Sequence, residues 1–346
     1  MLDGSRTMPL QNEELQLASA WRALSGKAEG RGWKAIEIFN SPRCLVLAGR
    51  KGNGNEESLL IGIAGAPAPD ESQLPRSQGF VFVRTDLAGE TSGHTWFALS
   101  RKANGQLPMF TLMAADLTSL VAKVALQDGP QIYASLIARI RGWQEFMKRD
   151  RSGVLSADEE VGLIGELHVL MNLIEGGLSP VDAVDAWVGP DDGLHDFVIG
   201  TGGVEAKTTV APVGFIAEIG SLDQLDDALY RPLYVAALRL SQSPTGKTLP
   251  EHFEAILEET RDAGVAPLLE SRLLSAGYVE SMREHYTRRF ILKELTYRLI
   301  DESSPRLTRS NVPVPVHRVQ YSLDLDSVPV VASNFREISN ILGFSN

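Results

Sequence analysis

Apolar residues along this chain fall into two rhythms. Between Trp33 and Thr85 they come in short β-branched or aromatic runs, WKAIEIF, RCLVLAG, SLLIGIAG and GFVFVRT. Polar stretches rich in Gly and Pro, such as GRKGNGNEES and GAPAPDESQLPRSQG, separate them, which predicts strands joined by turns. The spacing then lengthens. MFTLMAADLTSLVAKVAL predicts a helix that closes this module at the Asp128-Gly129-Pro130 breaker. IYASLIARIRGWQEFMKRD places Ile132, Leu136, Ile140, Trp143 and Met147 on one helical stripe. In SADEEVGLIGELHVLMNLIEGG, Ser156 and Glu159 form a capping box, and Gly176-Gly177 supply the stop.

Beyond this helix AVDAWVG, LHDFVIG, GVEAKTT, GFIAEIG and RPLYVAALRL predict strands, with a small helix around Gln224 to Tyr230. EHFEAILEETRDAG and APLLESRLLSAG predict two further helices, and YTRRFILKELTYRLI a strand. The prolines of NVPVPVHRVQYSLDL make that segment extended. The resulting class is α/β, a mixed central sheet flanked by helices. The expected organisation is a β-rich module over residues 1–128, a core over 129–242 and a C-terminal α+β extension over 243–346.

One stretch carries chemistry. In HDFVIGTGGVEAKTT, Glu205 and Lys207 are two apart on a strand, so they share a face. Closing the Gly200-Thr201-Gly202-Gly203 turn with a two-residue loop sets Asp196 opposite Glu205, and a four-residue loop sets it opposite Lys207. In both registers the three lie roughly 4.5–8 Å apart. Two carboxylates at that separation suit a hard divalent cation, and an ammonium beside them suits an attacking water or a phosphate. Acid-x-Lys is not specific in itself: 44 acids among 346 residues and nine lysines give about one match by chance, and Glu205 is that match. The helix before it adds weight. Glu166 lies among Gly162, Leu163, Val169 and Leu170 on an apolar stripe, where a carboxylate needs compensation. Gly162 and Gly165 lower helix propensity and mark a close approach of another backbone or of DNA.

A helix with G-x-x-G-E, then Asp, a short hairpin and Glu-x-Lys resembles the core of the PD-(D/E)XK nuclease superfamily. More narrowly, the chain resembles a family of bacterial proteins grouped with it. That likeness extends through VEAKTT, LDQLDDA, LLSAGY and the closing PRL…NVPVPVHRVQYSLDL stretch. The resemblance implies a restriction-endonuclease-like fold, Mg²⁺ dependence with Mn²⁺ as substitute, and phosphodiester hydrolysis. It makes Asp196, Glu205 and the helix acid Glu166 metal ligands and Lys207 the water-positioning lysine. It further implies DNA as substrate, a place in a restriction or anti-phage system beside helicase-like and ATPase partners, and a homodimer as one arrangement. His195 stands where the name-giving proline would be.

Composition refines this picture only slightly. The chain is 43% hydrophobic with a formal net charge of −11, which disfavours a protein that coats nucleic acid over its whole surface. Between Arg283 and Arg318 eight basic residues face four acidic ones, and Arg288, Arg289 and Arg298 are candidate phosphate contacts. The lone Cys44 excludes an internal disulfide and reads as a small apolar strand residue. With no signal peptide and no apolar run expected to span a bilayer, the expected location is the cytoplasm, without membrane contact.

Other motifs lose to structural readings. SPTGKT has Ser241 where a phosphate-binding loop needs glycine, and reads as a loop. His168 and His195 lie near the proposed site but read as structural, and Gln224 is placed to point into the site from the small helix but reads as a surface glutamine. No serine sits in a G-x-S-x-G elbow. The rival from a different class is a nuclease-fold scaffold or DNA-binding module that uses the same charges as an inert ion-pair network.

Overall fold

The computed structural model describes residues 10–26, 32–52, 55–87, 93–148, 154–191 and 193–343. The chain forms two compact units, Met1–Arg151 and Ser152–Asn346. In the first, β1 (Trp33–Asn40), β2 (Cys44–Lys51), β3 (Glu57–Ala64), β4 (Phe80–Thr85) and β5 (His94–Arg101) form an antiparallel sheet in the order β1-β2-β3-β5-β4. Helix α1 (Leu10–Ala23) packs on β2, α2 (Leu107–Val124) packs between α1 and α3 (Gly129–Lys148), and α3 packs on β3. Phe82 stacks on Phe97 and Phe97 on Tyr133, so sheet and α3 share one core. Cys44 is a buried strand residue, as its apolar setting suggested.

Two elements of this unit are absent from the hydrophobic reading of the sequence, α1 and β5. β5 fills the slot between β3 and β4, and its run HTWFALS is β-rich and follows the Gly- and Ser-containing segment DLAGETSG. The expected boundary at residue 128 also moves. α3 belongs to the first unit, because its stripe is completed by α2 and β3. α2 is long and apolar enough by composition to cross a membrane, contrary to the sequence expectation, and its apolar residues Phe110, Leu112, Met113, Leu117, Leu120 and Val121 are buried within the unit.

The second unit is built on a mixed four-stranded sheet, ordered β10-β9-β7-β6. Its strands are β6 (Phe197–Ile199), β7 (Gly202–Thr209), β9 (Leu233–Lys247) and β10 (Phe290–Ile300). β7 and β9 run parallel, and the outer pairs are antiparallel. A separate ladder joins β8 (Ile216–Ile219) to β11 (Tyr321–Asp324). The helices are α4 (Ala157–Glu175), α5 (Pro180–Ala186), α6 (Leu249–Glu259), α7 (Ala266–Ala276) and the short α8 (Arg336–Ser339). α4 begins at the predicted capping box, with Ser156 and Glu159 reciprocally bonded.

The sheet has two apolar faces. Val204, Tyr234, Ala236 and Leu238 face α4 with Leu163, Leu167 and Leu170 in the larger core, whereas Leu233, Val235 and Ala237 join Phe215, Ile219 and Leu325 in a smaller one. Residues past 242 are therefore part of the same unit, because β10 pairs along β9 and α6 lines the larger core.

Three local expectations are corrected. AVDAWVG is not a strand: Ser179 caps α5, Pro180 occupies its first turn, and only Trp187 makes a bridge, to Phe197. Start signals for a helix outweigh β-branched content there. Gln224 to Tyr230 forms turns rather than a helix, since Asp226 accepts the Ala228 amide through its side chain and Arg306 takes the Leu225 carbonyl. SPTGKT is not a loop, because β9 continues to Lys247 with Gly246 against the Phe290 backbone, and Thr248 caps α6.

The two glycines of α4 separate cleanly. A Cβ at Gly165 would stand 1.8 Å from Thr208 Oγ1 and 3.0 Å from Thr208 Cβ, whereas one at Gly162 meets nothing within 4 Å. Gly165→Ala is therefore expected to destabilise the protein by about 1–3 kcal/mol through overpacking of α4 on β7. Gly162→Ala should instead be neutral or stabilise by up to about 1 kcal/mol. Urea unfolding of both variants checks this, and equal effects would contradict the contact between α4 and β7.

Candidate functional site

The hairpin of β6 and β7 sets the register of the candidate residues. Ile199 pairs with Gly202 and Phe197 with Val204, so the turn is the two-residue Gly200-Thr201. Gly200 has φ 58°, the left-handed conformation that a first turn position of this kind reserves for glycine. Continued by one step, this register puts Asp196 opposite Glu205.

β6 stops pairing before that point, and the side chain of Asp196 takes the place of the missing strand. Its Oδ2 accepts the Ala206 amide at 2.7 Å. The Asp196 carbonyl accepts the amides of Val188 and Gly189, both at 2.9 Å. Gly189 fits only without a side chain, since a Cβ would come within 2.7 Å of Asp196 Oδ1. The carboxylate is thus fixed at the sheet edge by backbone on both sides.

Glu205 and Lys207 point away from α4. They pair with Val235 and Ala237, whose side chains belong to the smaller core, while Ala206 packs on the larger core and Thr208 meets Gly165. Lys207 Nζ donates to Glu205 Oε1 at 2.9 Å, and Gln224 Nε2 donates to the same oxygen at 2.7 Å. Gln224 is itself held by the Gly220 amide, which donates to its Oε1 at 2.7 Å. The turn carrying Gln224 is tied down by Arg309 on Asp223 and by Arg306 on Asp227. Glu205 is only 3% exposed, in contact with its partners and little else.

Glu166 sits half-buried on α4, where Trp187 Nε1 donates to its Oε2 at 2.8 Å. Trp187 in turn stacks on Phe197. Glu166 lies on the other side of the sheet from Glu205, yet within electrostatic range of both Asp196 and Lys207. The predicted residues are therefore brought together in two steps. Glu205 and Lys207 touch, and Asp196 at the edge couples them to Glu166.

The electrostatics follow from that layout. Burial, the neighbouring Glu205 and then Glu166 push the Asp196 carboxyl well above the usual range, against the Ala206 amide and Lys207, which pull it down. For Lys207 burial opposes the charged form, but Glu205, Asp196 and Glu166 outweigh it and raise its proton affinity. Three acids thus surround one ammonium.

Among the described residues no group of three or more His, Cys, Asp or Glu side chains stands at metal-holding separations. The donor chemistry nonetheless fits a divalent cation. Asp196 and Glu205 together carry more negative charge than Lys207 balances, and the buried His195 beside Glu205 has both ring nitrogens without a hydrogen-bond partner among the described residues.

Gln224 turns toward Glu205, contrary to its reading as a surface residue. It enters the site as the alternative sequence reading had it, though a turn rather than a helix delivers it. His195 also enters the site, whereas His168 packs on His252 of α6 with ring centroids 4.8 Å apart. The three arginines proposed as phosphate contacts are all engaged by other groups of the chain, Arg298 buried and Arg288 and Arg289 partly exposed. Arg288 binds Glu160 and covers Phe290, Arg289 binds Glu251, and Arg298 reaches the Val328 carbonyl and Asp326.

The family model described as "Putative PD-(D/E)XK family member (DUF4420)" matches residues 17–326. No curated protein and no solved structure matches the chain.

The raised Asp196 carboxyl makes a stability prediction without any metal. Below the unfolded carboxyl value, near 3.9, Asp196 is protonated in both states and costs nothing. As pH rises toward its higher folded value, the unfolded chain loses its proton first and folding is progressively penalised. Asp196→Asn, which can still accept the Ala206 amide, should therefore melt like the wild type below about pH 4. Its advantage should grow through neutral pH. Thermal melts across that range in chelator check it, and a stability gain already present at low pH would contradict the buried charge.

Proposed function

We propose, from the premise that the chain belongs to this PD-(D/E)XK family, that it is a DNA endonuclease dependent on a divalent ion, Mg²⁺ or its substitute Mn²⁺. The observation that carries the reading is the contact of Lys207 with Glu205 beside an Asp196 that has no balancing cation of its own. Asp196 and Glu205 would hold the ion, with Glu166 as the helix acid that acts on them through Asp196 at the sheet edge. When bound, such an ion supplies Lewis-acid stabilisation of the phosphate and lowers the pKa of a water.

The chain's own residues perform the rest. Lys207 keeps its proton at neutral pH, since the surrounding acids raise its affinity for it. It therefore acts as a hydrogen-bond donor and fixed positive charge, not as a general base. That charge orients the attacking water and offsets the negative charge that builds on the phosphoryl oxygens as the water oxygen bonds to phosphorus. The attacking water gives up a proton to solvent as it bonds to phosphorus, the P–O bond to the leaving sugar breaks, and the leaving oxygen takes a proton from solvent. Gln224 keeps Glu205 from rotating toward Lys207 alone, because it shares the same oxygen.

In this reading DNA is the substrate, and the setting is a restriction or anti-phage system with helicase-like or ATPase partners. The paired state of Arg288, Arg289 and Arg298 leaves phosphate recognition to other groups or to such partners.

Lys207→Ala should leave Mg²⁺ and Mn²⁺ binding nearly intact and reduce cleavage by about 10²–10³, the typical loss for one charge-stabilising contact. Asp196→Ala should abolish metal binding and cleavage together. Cleavage of double-stranded, single-stranded and branched DNA is measured alongside calorimetric metal titration. Equal cleavage by wild type and Lys207→Ala would assign the activity elsewhere. A wild type that binds neither ion and cuts nothing would hand the fold to the scaffold reading.

A further inference from the structure

His195 is the least explained polar residue of the second unit. It is 1% exposed, and neither Nδ1 nor Nε2 has a hydrogen-bond partner. Buried polar atoms left unpaired cost stability, so a native protein that keeps two on one ring calls for a reason. The ring is also held in place. It lies edge-on to Tyr230 with centroids 5.6 Å apart, and Gly203 makes room for it, since a Cβ there would stand 2.8 Å from His195 Cδ2.

The slot points the imidazole at the candidate site. Nδ1 stands 3.8 Å from Glu205 Oε2, the oxygen of Glu205 that neither Lys207 nor Gln224 uses. That separation is too long for a hydrogen bond. It does suit two donors to one ion: metal bonds of roughly 2.0–2.2 Å to nitrogen and oxygen allow two ligands to stand up to about 4 Å apart. An imidazole adds a ligand without adding charge. It also changes the kind of ion favoured, because carboxylate oxygens alone suit Mg²⁺, whereas imidazole suits transition ions.

We propose that His195 is a nitrogen ligand, through Nδ1, of the ion held by Glu205, and that the site therefore prefers Mn²⁺ or a similar transition ion over Mg²⁺. The inference rests on the metal-dependent reading above and specifies its ion. It also gives a chemical reason for a histidine directly before Asp196.

The test uses the full chain and MnCl₂ alone, without DNA. Pulsed electron paramagnetic resonance of bound Mn²⁺ should detect a ¹⁴N coupling that changes to ¹⁵N when the protein is produced with ¹⁵N-labelled histidine. That measurement needs no variant. His195→Phe fills the same slot without nitrogens. It should melt at or above the wild-type temperature in chelator, lose the coupling and leave Mg²⁺ affinity little changed. Its Mn²⁺ affinity should fall at least by the roughly 10–100-fold seen when only an outer partner of a ligand is removed. Mn²⁺ bound with no histidine nitrogen coupling would overturn the proposal while leaving the carboxylate site standing. Unchanged Mn²⁺ affinity in His195→Phe would do the same. A wild type that binds neither Mn²⁺ nor Mg²⁺ would overturn both.

Discussion

The second unit is organised around a carboxylate that replaces a strand. Where β6 ends, the Ala206 amide would be left without its ladder partner, and Asp196 Oδ2 supplies it at 2.7 Å. That one bond fixes the acid at the sheet edge, close enough to Glu205 and Glu166 to feel both. Much of the neighbouring construction serves to hold it. The Val188 and Gly189 amides clamp its carbonyl, Gly189 leaves room for its Oδ1, and Gly200 makes the turn short enough for the register. Any loosening would let the carboxylate swing into water, where its repulsion from the other acids relaxes.

Rigidity on the other side comes from the parallel pairing of β7 with β9. Both faces of that pair are covered, so Glu205 emerges from a packed interior rather than from a flexible surface. The C-terminal hundred residues are integral to this. β10 seals the far edge of β9, while Arg306 and Arg309 pin the turn that brings Gln224 to Glu205. A site whose supports come from such distant segments has high contact order, and its parts settle only when the whole unit has folded.

How much of this was legible in the sequence depended on whether the cause was local. The capping box of Ser156 and Glu159 and the shared face of Glu205 and Lys207 follow from spacing within a few residues. α5 was also a local matter, but its Ser-Pro start was outvoted by β-branched residues. Gln224, His195 and the arginines were not local. Gln224 reaches Glu205 across 19 residues of sequence, and Arg288 reaches Glu160 across 128. Periodicity carries no information about such partners. Arginine enrichment was equally silent on whether guanidinium groups face phosphate or carboxylate.

The way this protein treats its other buried acids bears on whether the site is an inert network. Glu57 is gripped by Arg50 and Arg101, Asp227 by Arg306 and Arg231, and Glu160 by Arg288. In each case at least one guanidinium meets the carboxylate within 2.9 Å, so the charge is balanced on the spot. Among the described residues Glu205 and Asp196 lack such a guanidinium, as does the buried Glu13, which is met by the Ser119 hydroxyl. Glu205 is met by a lysine, and among the described residues Asp196 has no lysine or arginine at ion-pair distance. Lysine also differs from arginine in kind: it is a compact point charge with rotatable donors, suited to a small mobile partner rather than to a fixed bidentate pairing. The excess negative charge is destabilising in the free protein and becomes favourable only when something positive arrives. In the metal-dependent reading proposed above, that stored cost, on a hairpin held by backbone on both sides, is what a bound cation would offset.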